Sequence, residues 1–336
     1  MYSPATPFIT VPIRRCISTS SYRLHENPLG LPRRGAAPQI PRRGGPIQKR
    51  SLPHVKKVLT VASGKGGVGK STVAVNLAFA LAMHRSSSYG ERPRVGVLDL
   101  DIFGPSIPKL MGLENVAEPE LTSAGAIVPL RNHGLPCMSM GFLLPKSAGS
   151  DSNADTPVVW RGLMVQKVVQ QLLFDVDWRG SEGGAGLDVL VIDMPPGTGD
   201  VPLTLGQLVN IDGAVIVSTP QDIALSDVRK GISMFQKLNV PIFGLLLNQA
   251  YFVCPSCATP HHLFGSPDPF RATASQLGVD VMGELPLIPA VSESSDRGVP
   301  YTLGGRTSGP DTQDGWIGIM ETVAAKVWQA LDRNAA

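Results

Sequence analysis

The chain has 336 residues, 43% of them hydrophobic and 17% charged, with four cysteines and a formal net charge of +3. No uninterrupted apolar run reaches the roughly 18 residues that an integral membrane segment needs, and so few cysteines exclude a disulfide scaffold. The charge averages two unlike parts: residues 1–57 carry eight Arg and three Lys against Glu26 alone, a net +10, while 58–336 is mildly acidic at −7, which argues against a nucleic-acid partner.

In chain order, residues 1–25 contain no acid and are rich in Ser, Thr and Arg, with apolar residues scattered between. That composition predicts a mitochondrial transit peptide, since a secretory signal would need a continuous apolar stretch of about 7–15 residues. A disordered basic tail with no address is the plainer alternative. Residues 26–56 hold Pro28, Pro32, Pro38, Pro41, Pro46 and Pro53 among paired glycines and arginines. No period of 2 or 3.6 survives there, so a linker is expected. A single domain is expected over 57–332.

Val58–Ala62 is a short apolar strand that runs into a glycine-rich turn, and a helix follows over 72–83. Further strands are expected at 94–98, 187–192, 213–217, 242–247 and 279–285. The runs are short, rich in Val, Ile and Leu, and barely alternate, as suits strands covered on both faces. Helical periodicity falls between them at 163–174, 201–208 and 224–238, with a last helix at 316–331. The order predicts an α/β fold: a mostly parallel sheet with helices on both faces. Gly- and Ser-rich pieces at 146–155 and 180–186 read as surface loops.

Gly64, Lys65, Gly66, Gly67, Val68, Gly69, Lys70 and Ser71 match the pattern G-x-x-x-x-G-K-[ST], between a predicted strand and a predicted helix. Glycines let the backbone N–H groups converge on phosphate oxygens, and the helix start, with Thr72 next in line, adds its positive dipole end. Lys70 would reach the β- and γ-phosphates, and Ser71 would hold Mg²⁺. A ligand-free glycine turn would not require all four fixed positions. Val189–Ile192 ends in Asp193, the form of a Walker B strand whose carboxylate would bind Mg²⁺ through water. Asp99 and Asp101 follow another strand, and a period of two puts them on one face. Asp101 is the candidate for orienting the attacking water or touching the Mg²⁺ shell; a solvated turn is the plainer reading. No N-K-x-D guanine reader occurs, which favours ATP.

Cys254-Pro255-Ser256-Cys257 leaves several readings open. A redox dithiol would want a helix directly after the pair, but Ala258-Thr259-Pro260 follows. A zinc site would need help, for which His261 and His262 are near. An iron–sulfur cluster needs four thiolates. Cys137 sits alone in an apolar stretch and reads as buried, and Cys16 falls in the presumed presequence.

From about Lys57 to Ala330 the chain resembles the Mrp-type nucleotide-binding iron–sulfur carriers, within the deviant Walker A group that includes nitrogenase iron protein and the septum-placing and partitioning ATPases. The doubled-lysine loop, Asp99–Ser106, Asp193–Asp200 and Tyr251–Cys257 stand in family order. The segment Asn27–Arg33 looks like the mitochondrial branch, which serves assembly of respiratory complex I. The resemblance implies a P-loop NTPase fold similar to nitrogenase iron protein and a homodimer in which Lys65 reaches the partner's nucleotide. It gives Lys65, Lys70 and Asp101 catalytic roles and puts Asn248 at the adenine edge. It further implies slow ATP hydrolysis in the mitochondrial matrix. A two-fold axis would join two cysteine pairs around one labile 4Fe–4S cluster, held by Cys254 and Cys257 of each subunit. The acceptors would be apo iron–sulfur subunits of complex I. The rival is a nucleotide-switched positioning ATPase, which shares Lys65 but has no use for the cysteines.

Overall fold

The computed structural model describes residues 48–85, 92–102, 104–143, 162–179, 184–304 and 313–333. The presumed address segment 1–25, the linker up to residue 47, Phe103, the stretch 146–155 and most of 180–186 lie outside the described residues.

The chain runs β1 (Val55–Ser63), α1 (Lys70–Met83), β2 (Val95–Asp99), α2 (Ile107–Leu110), β3 (Leu130–Asn132), β4 (Leu135–Ser139) and α3 (Gly162–Phe174). It continues through β5 (Leu187–Asp193), α4 (Asp200–Leu208), β6 (Gly213–Ser218), α5 (Asp222–Lys237) and β7 (Ile242–Leu247). The last part holds β8 (Phe252–Val253), β9 (Pro260–His261), α6 (Asp268–Gln276), β10 (Val281–Glu284), α7 (Pro289–Asp296), α8 (Tyr301–Gly304) and α9 (Gln313–Arg333). Every strand and helix expected from periodicity is present, with no end shifted by more than three residues.

Eight strands form one sheet in the order β10-β7-β6-β1-β5-β2-β4-β3. All its pairings are parallel except β3 with β4. Every residue of β2 and β6 is buried. Successive side chains point to opposite faces, so both faces must be covered. α5 packs on β6 with α6 beside it, while α1 packs with α9, which also reaches β10. The amphipathic C-terminal helix thus spends its apolar stripe (Trp316, Met320, Val323, Val327 and Leu331, all buried) on the body of the protein. Among the described residues no helix is long and apolar enough to cross a membrane.

Register sets the site. Asp193 of β5 lies opposite Val61 of β1 on one side and Asp99 of β2 on the other. The carboxyl ends of three neighbouring strands are therefore level, at the edge where parallel sheets bind ligands.

Besides the short elements α2, α8, β8 and β9, which the sequence reading did not expect, several features differ from it. The β3–β4 hairpin was not foreseen, because Pro136 and a short length mask the pattern; its two-residue turn is His133-Gly134, with φ of 50° and 86°. Both central residues at positive φ mark the turn type that suits a tight hairpin. The short helices α6 and α7 were also missed: both are largely polar and both have proline in the first turn. Finally, β2 ends at Asp99, so Asp99 and Asp101 do not share a strand face.

Candidate functional site

The loop after β1 turns through Gly67 and Gly69, at φ 78° and 79°. At this left-handed φ a side chain is strained, and a Cβ on Gly69 would stand 2.4 Å from Asn248 Nδ2. Gly69 precedes α1 with no side-chain cap, which leaves the first N–H groups open to an anion. Lys65, Gly66, Gly67, Gly69, Lys70, Ser71 and Thr72 line a cleft of about 580 Å³, together with Asp101 and Pro196. Gly64 and Val68 lie behind it. Gly64 backs onto Asp227, which a Cβ would meet at 2.3 Å, and buried Val68 accepts a hydrogen bond from Asn248 Nδ2 at 2.8 Å.

Behind the cleft, Lys70 and Asp193 form a buried ion pair, Nζ to Oδ1 at 2.5 Å, with side chains 6% and 0% exposed. Lys70 also donates to Ser71 Oγ at 3.2 Å. Burial raises the proton affinity of Asp193, and the Lys70 ammonium opposes it. Among the described residues, Asp193 Oδ2 is buried without a hydrogen-bond partner. An orphaned carboxylate oxygen is costly, and beside the Ser71 hydroxyl it makes the hard oxygen donor set that Mg²⁺ prefers. The residues thus fit the ion.

Asp99 and Asp101 do different jobs. Asp99 is fully buried and accepts from Asp101 N at 2.9 Å, Ile107 N at 3.3 Å and Ser139 Oγ at 3.0 Å. Burial, and then the charge of Asp193, push its carboxyl up to about 7. It ties the loop after β2 to the sheet, and Asp101 at the loop's turn faces the cleft. On the far side, Lys65 Nζ donates to Gln221 Oε1, just before α5. Nothing in the sequence singled out Gln221.

A smaller cavity of about 170 Å³ adjoins the cleft through Gly69 and Thr72; its walls include Asn248, Gln249, Leu287, Ile288 and Trp316. Asn248 spends Nδ2 on the phosphate loop, and among the described residues its Oδ1 accepts no hydrogen bond. An acceptor beside an apolar slot can read an exocyclic amine. Leu287, Ile288 and Trp316 were not foreseen here, because apolar residues in elements distant along the chain carry no local signal of a pocket.

From Asn248 the chain continues directly into the cysteine hairpin. Ala250 N donates to Leu285 O at 2.9 Å, and Tyr251 O accepts from Leu287 N at 2.7 Å. β8 and β9 then pair Phe252 with His261 and Val253 with Pro260. The turn is closed by Cys254 N to Thr259 O at 3.1 Å and Ala258 N to Cys254 O at 2.8 Å, with Ala258 at φ 57°. Cys254 is half-buried and Cys257 exposed. The Thr259 hydroxyl, and next its backbone, bring the Cys257 thiol down to about 7. The ligand atoms of Cys254, Cys257 and His261 all lie within 4.8 Å of one another. His262 does not join them: its Nδ1 lies 3.1 Å from Ala250 O. Cys137 is buried in β4, with burial and then the charge of Asp99 pushing its thiol up to about 12, an inert side chain.

Comparison with known proteins agrees with this anatomy. A family model described as NUBPL iron-transfer P-loop NTPase matches residues 54–324. The chain is 48% identical over 289 residues to the mouse (Mus musculus) iron-sulfur cluster transfer protein NUBPL, covering 86% of this chain and 83% of the relative. It is 45% identical over 260 residues to an Arabidopsis thaliana mitochondrial iron-sulfur protein required for NADH dehydrogenase, covering 77% and 76%. Among solved structures, a nucleotide-binding protein of Archaeoglobus fulgidus in complex with ADP, with Co found in it, is 33% identical. It superposes with a TM-score of 0.57 over 74% of this chain and 88% of the other.

Proposed function

This chain belongs to the NUBPL iron-transfer P-loop NTPase family, and from that premise we propose that it is an ATP-dependent carrier of a labile 4Fe–4S cluster. It works as a homodimer in the mitochondrial matrix and delivers the cluster to apo subunits of respiratory complex I. The names of the mouse and Arabidopsis relatives support iron–sulfur transfer and the complex I connection. The acid-free, arginine-containing segment 1–25 supports the location.

One observation carries the reading: the two sites are a single continuous structure. Asn248 walls the base cavity and holds the phosphate loop, and the segment that follows leads straight into the cysteines. A change at the nucleotide has a short covalent path to the cargo.

The chain's own residues supply a mechanism. Lys70 neutralises Asp193 until a triphosphate enters the cleft; its ammonium then turns to the β- and γ-oxygens and frees Asp193. Ser71 and Asp193 would hold Mg²⁺, which screens phosphate charge when bound. Asp101 orients water at the cleft, on a loop held by buried Asp99. Lys65 leaves Gln221 to reach the nucleotide of the second subunit. Gly197, at φ 86°, ties the loop after β5 to the end of β1, where the phosphate loop begins, by donating to Ser63 O at 2.8 Å. Loss of the γ-phosphate relaxes these two loops and, through residues 248–254, the spacing of the cysteine pairs. Hydrolysis is slow, as suits a switch.

The test is anaerobic reconstitution, with iron and acid-labile sulfide counted per dimer and Mössbauer spectroscopy to count irons per cluster. Cys254→Ala with Cys257→Ala should abolish cluster binding and leave nucleotide affinity unchanged. Equal iron and sulfide with and without the pair overturns the bridging cluster. Lys70→Ala should weaken ATP binding, and unchanged affinity rejects the phosphate loop.

A further inference from the structure

We infer that a single chain, without a partner, carries a three-donor site for a divalent transition-metal ion, built from Cys254 Sγ, Cys257 Sγ and a ring nitrogen of His261. The inference shares its two sulfurs with the cluster reading above but needs neither a cluster nor a second subunit.

Hairpin geometry assembles the set. β8 and β9 pair Phe252 directly opposite His261. Directly opposed residues project to the same face, and so do residues two apart on one strand. Cys254 therefore follows Phe252 onto the face that His261 occupies. The reversal at Ala258, φ 57°, brings Cys257 back over the strand ends. The result is the clustering of all three ligand atoms within 4.8 Å of one another.

The donor chemistry is specific. Two thiolates and an imidazole are a ligand set for zinc-like ions, not for Mg²⁺ or Ca²⁺. Tetrahedral coordination at ordinary Zn–S and Zn–N lengths needs ligand atoms roughly 3.5–3.8 Å apart. The hairpin therefore has to tighten only slightly. Cys257 and His261 are exposed, so the ion enters from solvent. His262, next in sequence, points elsewhere and is held by Ala250 O at 3.1 Å, which leaves His261 as the nitrogen donor. Three protein ligands leave the fourth position open, unlike the closed four-ligand set of a structural zinc site. An ion seated here occupies the sulfurs a bridging cluster requires, so divalent ion and cluster compete for one hairpin.

Co²⁺ serves as the probe, titrated anaerobically into the reduced, full-length apo chain. The expected result is saturation at one ion per chain, with a thiolate-to-cobalt charge-transfer band and the intense visible bands of tetrahedral Co²⁺. His261→Ala should weaken Co²⁺ at least tenfold and change the visible bands, with no change in the thermal melt. His261→Cys should restore tight binding with a spectrum shifted toward an all-sulfur set. Unchanged affinity and spectrum in His261→Ala, or saturation at one ion per two chains, overturns the inference. Preloading with Zn²⁺ should block cluster reconstitution in the wild type and block it less in His261→Ala; equal blockade in both counts against the third donor. The cluster reading stands or falls separately, on whether His261→Ala still takes up iron and sulfide while Cys254→Ala does not.

Discussion

The nucleotide cleft and the cysteine hairpin are neighbours built by opposite means. The cleft is written into the core: Asp193 is aligned by two flanking strands, and Lys70 reaches it through a buried ion pair. The hairpin is two strands of two residues with an exposed turn. Core placement fixes geometry at the cost of coupling function to stability. Peripheral placement leaves the thiols free to meet a second subunit, an acceptor or an ion, and makes their geometry adjustable. On the function proposed above, a carrier needs both: a rigid site that senses the nucleotide and a loose one that can let its cargo go.

The sharpest way to break this contrast is to remove the buried carboxylate. Asp193→Ala leaves the Lys70 ammonium buried and unpaired, a change that costs about 3–5 kcal/mol. Urea unfolding should show that loss together with loss of nucleotide binding; a variant as stable as the parent would mean that the cleft is not built into the core. Next comes Gly69→Ala, which forces a side chain into φ 79° against Asn248. It should destabilise by about 1–2 kcal/mol and lower ATP affinity at least tenfold by calorimetry.

A smaller effect tests the opposite end of the sheet. Burial alone would raise the Asp188 carboxyl, but hydrogen bonds from the Arg94 side chain and backbone, then from Lys56, hold it well below the usual carboxylate range. A lowered folded pKa contributes stability above the unfolded value of about 3.9 and loses it as pH falls toward the folded value. Asp188→Asn should therefore lower neutral stability by the same amount that it removes from the acid limb of the stability–pH curve, about 1 kcal/mol once solvent screening of this part-exposed cluster is counted. The smallest effect belongs to the hairpin. Cys254→Ala and Cys257→Ala should leave unfolding stability within about 0.5 kcal/mol of the parent while removing metal or cluster. A larger destabilisation would show that the hairpin is structural.

Much of the cleft is legible in the sequence. The phosphate loop and Asp193 announce themselves because their chemistry needs fixed residue types at short spacing. The long strands were legible because burial on both faces writes an unbroken apolar run. Asp99 and Asp101 show where local reading stops: they look alike in sequence, yet one is a buried anchor and the other faces the cleft, because β2 ends between them. Gln221, Leu287 and Ile288 were invisible for a related reason. Each reaches the site from an element remote in sequence, and neither a polar residue before a helix nor an apolar residue after a strand is distinctive.

The amino-acid order alone determined the fold class, the phosphate loop, the two acidic strand ends and the cysteine pair, since each is a local pattern set by backbone geometry or ligand chemistry. Only the tertiary structure decided that Lys70 pairs with Asp193, that Asn248 braces the loop, and that His261 rather than His262 turns toward the sulfurs. Those outcomes depend on strand register and hairpin pairing, and a shift of one residue would reverse which side chain faces which way.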